Sequence, residues 1–104
     1  MRILKFIANG QQLTKDPSCD FSGIVRGSKN YLMAHFLLSS EWTGRVIAAS
    51  FWKLGKEYPV ILKGNACMIP DDVLTWEQFK VSLTGMDRNK SMITTTKVTV
   101  RQEG

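Results

Sequence analysis

One histidine, two cysteines and one adjacent pair of acids are the residues with which this chain could do covalent or acid–base chemistry. His35 lies inside a dense apolar run, Tyr31 to Ser39, where it alternates with Met33 and Leu37. A nucleophilic mechanism needs the imidazole beside a serine, cysteine or carboxylate, so this setting reads as a packed or interface histidine. A lone histidine also excludes a multi-histidine metal site. Neither Cys19 nor Cys67 has a second Cys or His within four residues, whereas a structural zinc needs paired ligands at short spacing. Two cysteines are too few for a disulfide scaffold, and both are expected free and half-buried, behaving as small hydrophobes. Asp71-Asp72 are adjacent on a turn, where their side chains point apart. After Pro70 they read as the start of a short helical turn, one too short to shape the fold. No Gly-x-Gly-x-x-Gly and no Gly-Lys-Ser/Thr loop is present. The expectation is a protein that is not an enzyme and holds no metal or cofactor.

Trp42, Trp52 and Trp76 are many tryptophans for 104 residues. Any that is exposed would mark a protein interface or a platform on which a sugar stacks. Trp42, in a turn flanked by polar residues, is the candidate for sugar stacking. The net charge of +5 could favour an anionic partner. However, the basic residues, Arg2 through Arg101, are scattered and no two are adjacent. A nucleic-acid footprint is usually clustered, so a solvated surface is the better reading and nucleic acid is not the expected partner. The sequon Asn89-Lys90-Ser91 is read as chance.

What must position these residues is a set of short strands. Period-two patterning dominates, beginning with Arg2 to Ala8 and a turn at Asn9-Gly10. Tyr31 to Ser39 is the clearest strand, with Leu32, Ala34, Phe36 and Leu38 on one face and Tyr31, Met33, His35 and Leu37 on the other. Arg45 to Lys53 places Ile47, Ala49 and Phe51 opposite Val46, Ala48, Ser50 and Trp52. Tyr58 to Lys63, Ala66 to Ile69, Phe79 to Leu83 and Met92 to Arg101 follow, and Gln102-Glu103-Gly104 reads as a loose tail. Glycines fall mostly at strand ends. About seven strands at regular spacing, with no helix for a crossover, predict one all-β domain over residues 1–104. The architecture expected is an antiparallel β-sandwich of immunoglobulin-like type, with a small barrel as the other choice. Its longest uncharged apolar stretch is far short of the ~20 residues a membrane helix needs, and no signal peptide is visible at Met1 to Ala8.

The run Phe36-Leu37-Leu38-Ser39-Ser40-Glu41-Trp42-Thr43-Gly44, followed by Ala49-Ser50-Phe51, resembles a pattern in small β-sandwich modules from phages of Gram-positive bacteria. So do Asn65-Ala66-Cys67-Met68-Ile69-Pro70-Asp71-Asp72-Val73-Leu74, Phe79-Lys80-Val81-Ser82-Leu83-Thr84-Gly85 and Ile93-Thr94-Thr95. The similarity spans about residues 31–100 and is carried by short elements of common residue types. It implies an immunoglobulin-like fold and a structural role near the N-termini of baseplate and fibre proteins. Those modules usually lead into a coiled-coil or receptor-binding part. A chain that stops just after the module is either an excised part of a longer protein or a stand-alone virion protein, such as a capsid decoration or a head-fibre base. The expected function is therefore a virion module, made in the host cytoplasm, that docks on other virion proteins or on copies of itself. Tyr31, Met33, His35 and Leu37, with Trp52 nearby, are the expected interface. The alternatives are a carbohydrate-binding module and a small basic nucleic-acid-binding barrel.

Overall fold

The computed structural model describes residues 1–104 as an all-β chain of two sheets. β1 (Arg2–Asn9), β2 (Gln12–Lys15), β3 (Leu32–Leu38) and β6 (Ala66–Met68) form a four-stranded sheet in the order β2-β1-β3-β6. β4 (Val46–Lys53), β5 (Lys56–Ile61), β7 (Gln78–Met86), β8 (Met92–Thr94) and β9 (Val98–Arg101) form the other. Here β5 and β7 flank β4, while β8 and β9 both pair with β7. Pairing is antiparallel everywhere between these strands except at β1 and β3.

Alternation decides which face of each strand is buried. In β1, Leu4, Phe6 and Ala8 point inward; in β3, Leu32, Ala34 and Phe36; in β4, Ile47, Ala49 and Phe51; in β7, Phe79, Val81 and Leu83. These side chains from both sheets meet in one core of 20 buried residues. Phe6 stacks on Phe36 with ring centroids 5.4 Å apart, and Phe51 meets Phe79 at 6.3 Å. The face assignments expected for the strands at Tyr31–Ser39 and Arg45–Lys53 hold, except that Leu38 is only partly buried.

Four features depart from the sequence reading. First, β1 and β3 run parallel, with Leu4 opposite Ala34 and Phe6 opposite Phe36. The intervening residues 16–31 carry the chain back to the starting end of β1 without a helix. Two local turns shape that return. Asp16 accepts from the backbone and hydroxyl of Ser18, and Asp20 does the same with Ser22. Those hydrogen bonds hold both carboxyls below their ordinary range. The Arg2 guanidinium then gathers the carbonyls of Asp20, Ser22 and Gly23. Cys19 seals the edge of β1 beyond the end of β2, its sulfur accepting from the Lys5 amide.

Second, the last expected strand breaks at Thr95–Lys97 into β8 and β9, which with the short return strand β2 makes nine strands where about seven were expected. The Thr95 hydroxyl accepts from the Leu83 amide, and the Thr96 amide turns to the Gln11 carbonyl of the other sheet. The Thr96 hydroxyl accepts from the Leu13 amide, so this break stitches the two sheets together along one margin.

Third, the 3₁₀ turn Asp71–Thr75 does shape the fold, because its Val73 and Leu74 are fully buried and plug one end of the core. Fourth, the C-terminal residues are tied down instead of loose. Gln102 is buried; its amide donates to the Glu77 carbonyl and its side chain to the carbonyls of Val73 and Trp76. Glu103 exchanges backbone hydrogen bonds with Ile24 and Arg26.

Candidate functional site

With inner faces committed to the core, contact with a partner falls to the two outer faces. On the four-stranded sheet the register builds three cross-strand rows. Ile3, Met33 and Met68 form one; Lys5, His35 and Ala66 the next; Thr14, Ile7 and Leu37 the last. Leu37 is 65% exposed and Tyr31, just before β3, is 47% exposed, while Met33, His35 and Ile7 are half-buried among their neighbours. Tyr31, Met33, His35 and Leu37 therefore do share one solvent-facing surface. Ile3, Ile7 and Met68 belong to it too. The outward alternation of β1 hinted at the first two, whereas only the parallel register brings them beside β3. His35 makes no side-chain hydrogen bond, so no nucleophile is poised against it.

Trp52 is not part of that surface. It projects from the outer face of the five-stranded sheet, on the far side of the core, because β4 belongs to that sheet. Its indole N–H donates to the Ser82 hydroxyl at 3.0 Å, and the Lys97 ammonium sits 3.9 Å from its ring centroid. A groove of about 230 Å³ opens here, lined by Trp52, Leu54, Trp76, Gln78, Lys80 and Lys97 among others. The register brings cations together that the sequence scatters. Lys80 lies opposite both Trp52 and Thr99, and Arg101 opposite Gln78. Of the 14 lysines and arginines, only Arg45 has a carboxylate within ion-pair distance, Asp87 at 4.0 Å.

Trp42 offers no surface to a sugar. It is 2% exposed, within the 3₁₀ turn Ser40–Trp42 that folds back over the core, and its indole N–H donates to the Gly10 carbonyl. The polar residues around it suggested exposure, but the ring turns inward between the first hairpin and Gly85. Trp76, at 38%, is the exposed tryptophan.

Both cysteines are free. Cys67 faces the core opposite Ala34, and burial pushes its thiol up to about 12. At pH 8 only about one such thiol in ten thousand is ionised, and the thiolate is the reactive form. Iodoacetamide at pH 8 should therefore spare Cys67 in the folded protein and modify it in urea, read by intact mass. The same shift sets a sign for stability. The folded state disfavours the thiolate, so this contribution is intact at neutral pH and is lost as pH rises from about 9 toward 12. Alkylation of Cys67 at equal rates in both states would contradict its burial.

Comparison with family models, with curated proteins and with solved structures yields no match.

Proposed function

We propose that this chain is a non-enzymatic docking module that packs the outer face of its four-stranded sheet against neighbouring subunits of a bacteriophage virion. The observation that carries the docking reading is the outer face of β1, β3 and β6, where exposed Tyr31 stands beside the row of Ile3, Met33 and Met68, and exposed Leu37 stands beside Ile7 across the row of Lys5, His35 and Ala66. A solvent-facing sheet surface is normally polar; large apolar side chains gathered on one mark an interaction site. The resemblance of residues 31–100 to phage sandwich modules supplies the class of partner. Two sheets enclosing one core are compatible with the immunoglobulin-like sandwich that the resemblance implies. A stable partner would cover on the order of 800 Å², which takes the sheet face together with its Tyr31 rim.

The test is incorporation into particles. Particles purified from an induced lysate should carry the wild-type protein in stoichiometric amounts by mass spectrometry. Leu37→Asp should be depleted from them at least tenfold, while its thermal unfolding stays close to wild type, since exposed substitutions shift stability by only ~0.5 kcal/mol. Wild-type protein left free in the lysate, or equal incorporation of the variant, would sink the proposal.

A further inference from the structure

We infer that the groove between Trp52 and Trp76 is a second binding site, for a single-stranded nucleic acid, with one base stacked on Trp76 and the flanking phosphates held by Lys80 and Lys97. It stands on the opposite outer face from the docking surface and does not depend on that reading.

Its lining combines two indoles with two ammonium groups and contains no carboxylate. The nearest acids by register and sequence are Glu57, opposite Trp52, and Glu77, beside Trp76. Glu57 accepts from the Ser50 hydroxyl and keeps its charge, but Lys80 and Lys97 outnumber it at the groove. Arg101, on the same face and opposite Gln78, extends the positive surface at one side. The tryptophans divide the work. Trp52 is fixed by Ser82 and its ring carries Lys97, so it positions a cation. Trp76 keeps its ring exposed, and its carbonyl is anchored by the buried Gln102 amide at 2.8 Å, which holds the stacking platform in place.

Size and polarity narrow the ligand. At about 230 Å³ the groove lies below the ~300–1,000 Å³ range of sites that enclose a whole small molecule. It suits one ring of a longer chain whose remaining contacts lie outside. A neutral sugar would need acceptors and amides for its hydroxyls; the groove offers Gln78, whose Oε1 already accepts from Arg101. Flat rings linked by anions match lysines interleaved with indoles, the combination by which single strands are held without sequence preference.

Fluorescence anisotropy of a short labelled oligothymidine tests this, with polygalacturonate as the competing anionic chain. The oligonucleotide should bind, with affinity falling steeply between about 50 and 200 mM salt. Trp76→Ala should weaken it about 5- to 150-fold, the loss of one stacked base, and Trp76→Phe should restore most of that. Lys80→Gln and Lys97→Gln should each flatten the salt slope by about 0.7. No binding at low salt, preference for polygalacturonate, or an affinity indifferent to all of these substitutions would overturn the assignment. Leu37→Asp should bind the oligonucleotide like wild type, which separates this site from the docking face.

Discussion

Replacing Trp42 with alanine is expected to cost about 3–5 kcal/mol of folding free energy, the largest single-residue effect in the domain. A domain of this kind has ~5–15 kcal/mol in all, so the variant should be close to unfolding at ambient temperature. The ring is wholly interior and its removal opens a cavity between the first hairpin and β7. It also strips the Gly10 carbonyl of its donor, at 3.0 Å. The fit is tight enough to dictate the residue opposite. A Cβ placed on Gly85 would stand 3.0 Å from Cε3 and Cζ3 of Trp42 and 3.2 Å from Cδ of Arg45. That Arg45 is itself fixed by the carbonyls of Glu41, Gly85 and Ser91, so neither neighbour yields easily. Gly85→Ala should accordingly cost about 1–3 kcal/mol through overpacking. In the Trp42→Ala background the same methyl should cost little or even recover stability. Urea titration of the two single variants and the double variant measures this coupling. Additive losses would mean that the indole does not press on Gly85.

Gln102→Leu should destabilise by about 2 kcal/mol. Its Nε2 supplies the carbonyls of Val73 and Trp76 at 3.2 and 2.8 Å, and each would be left bare at a cost of ~1–3 kcal/mol. Part of this is offset, because the Oε1 of Gln102 is buried without a partner and leaves with the amide. The damage should be local as well as global. Backbone amides in residues 71–77 should exchange faster with solvent, since this tie holds the plug of Val73 and Leu74 against the core. Hydrogen exchange read by mass spectrometry distinguishes that pattern; unchanged protection at residues 71–77 would show that the 3₁₀ turn is held by its burial alone.

How much of this could be seen in the sequence differs from element to element, for physical reasons. β3 and β4 announced themselves because one face of each is fully buried, and burial enforces strict alternation at Leu32–Phe36 and Ile47–Phe51. The outward row Tyr31, Met33, His35 and Leu37 was legible for the same reason. The sequence alone sets Trp52 near that row, because which sheet a strand joins leaves no local trace. The break at Thr95–Lys97 was invisible, since threonines suit a continuous strand as well as they suit hydroxyl acceptors at a crossing. The tail misled because Gln-Glu-Gly is polar, and polarity does not reveal that Gln102 caps carbonyls inside the protein. Likewise Lys80 and Lys97 look dispersed along the chain; only the fold gathers them at the groove between Trp52 and Trp76. Trp42 shows the limit of neighbour-based reasoning, for its flanks are polar while its own ring is interior.

The order in which the ribosome delivers this chain gives the C-terminal tie a further meaning. β1 and β3 emerge early, yet the segment Ile24–Gly27 waits for Glu103 and Leu74, and half of β7's edge waits for β9. While residues 98–103 remain inside the exit tunnel, the nascent chain has an open strand edge on β7 and an unfastened loop. Stable closure therefore waits until residues 98–103 have cleared the tunnel, and until then the open edge of β7 is free to pair with a neighbouring strand.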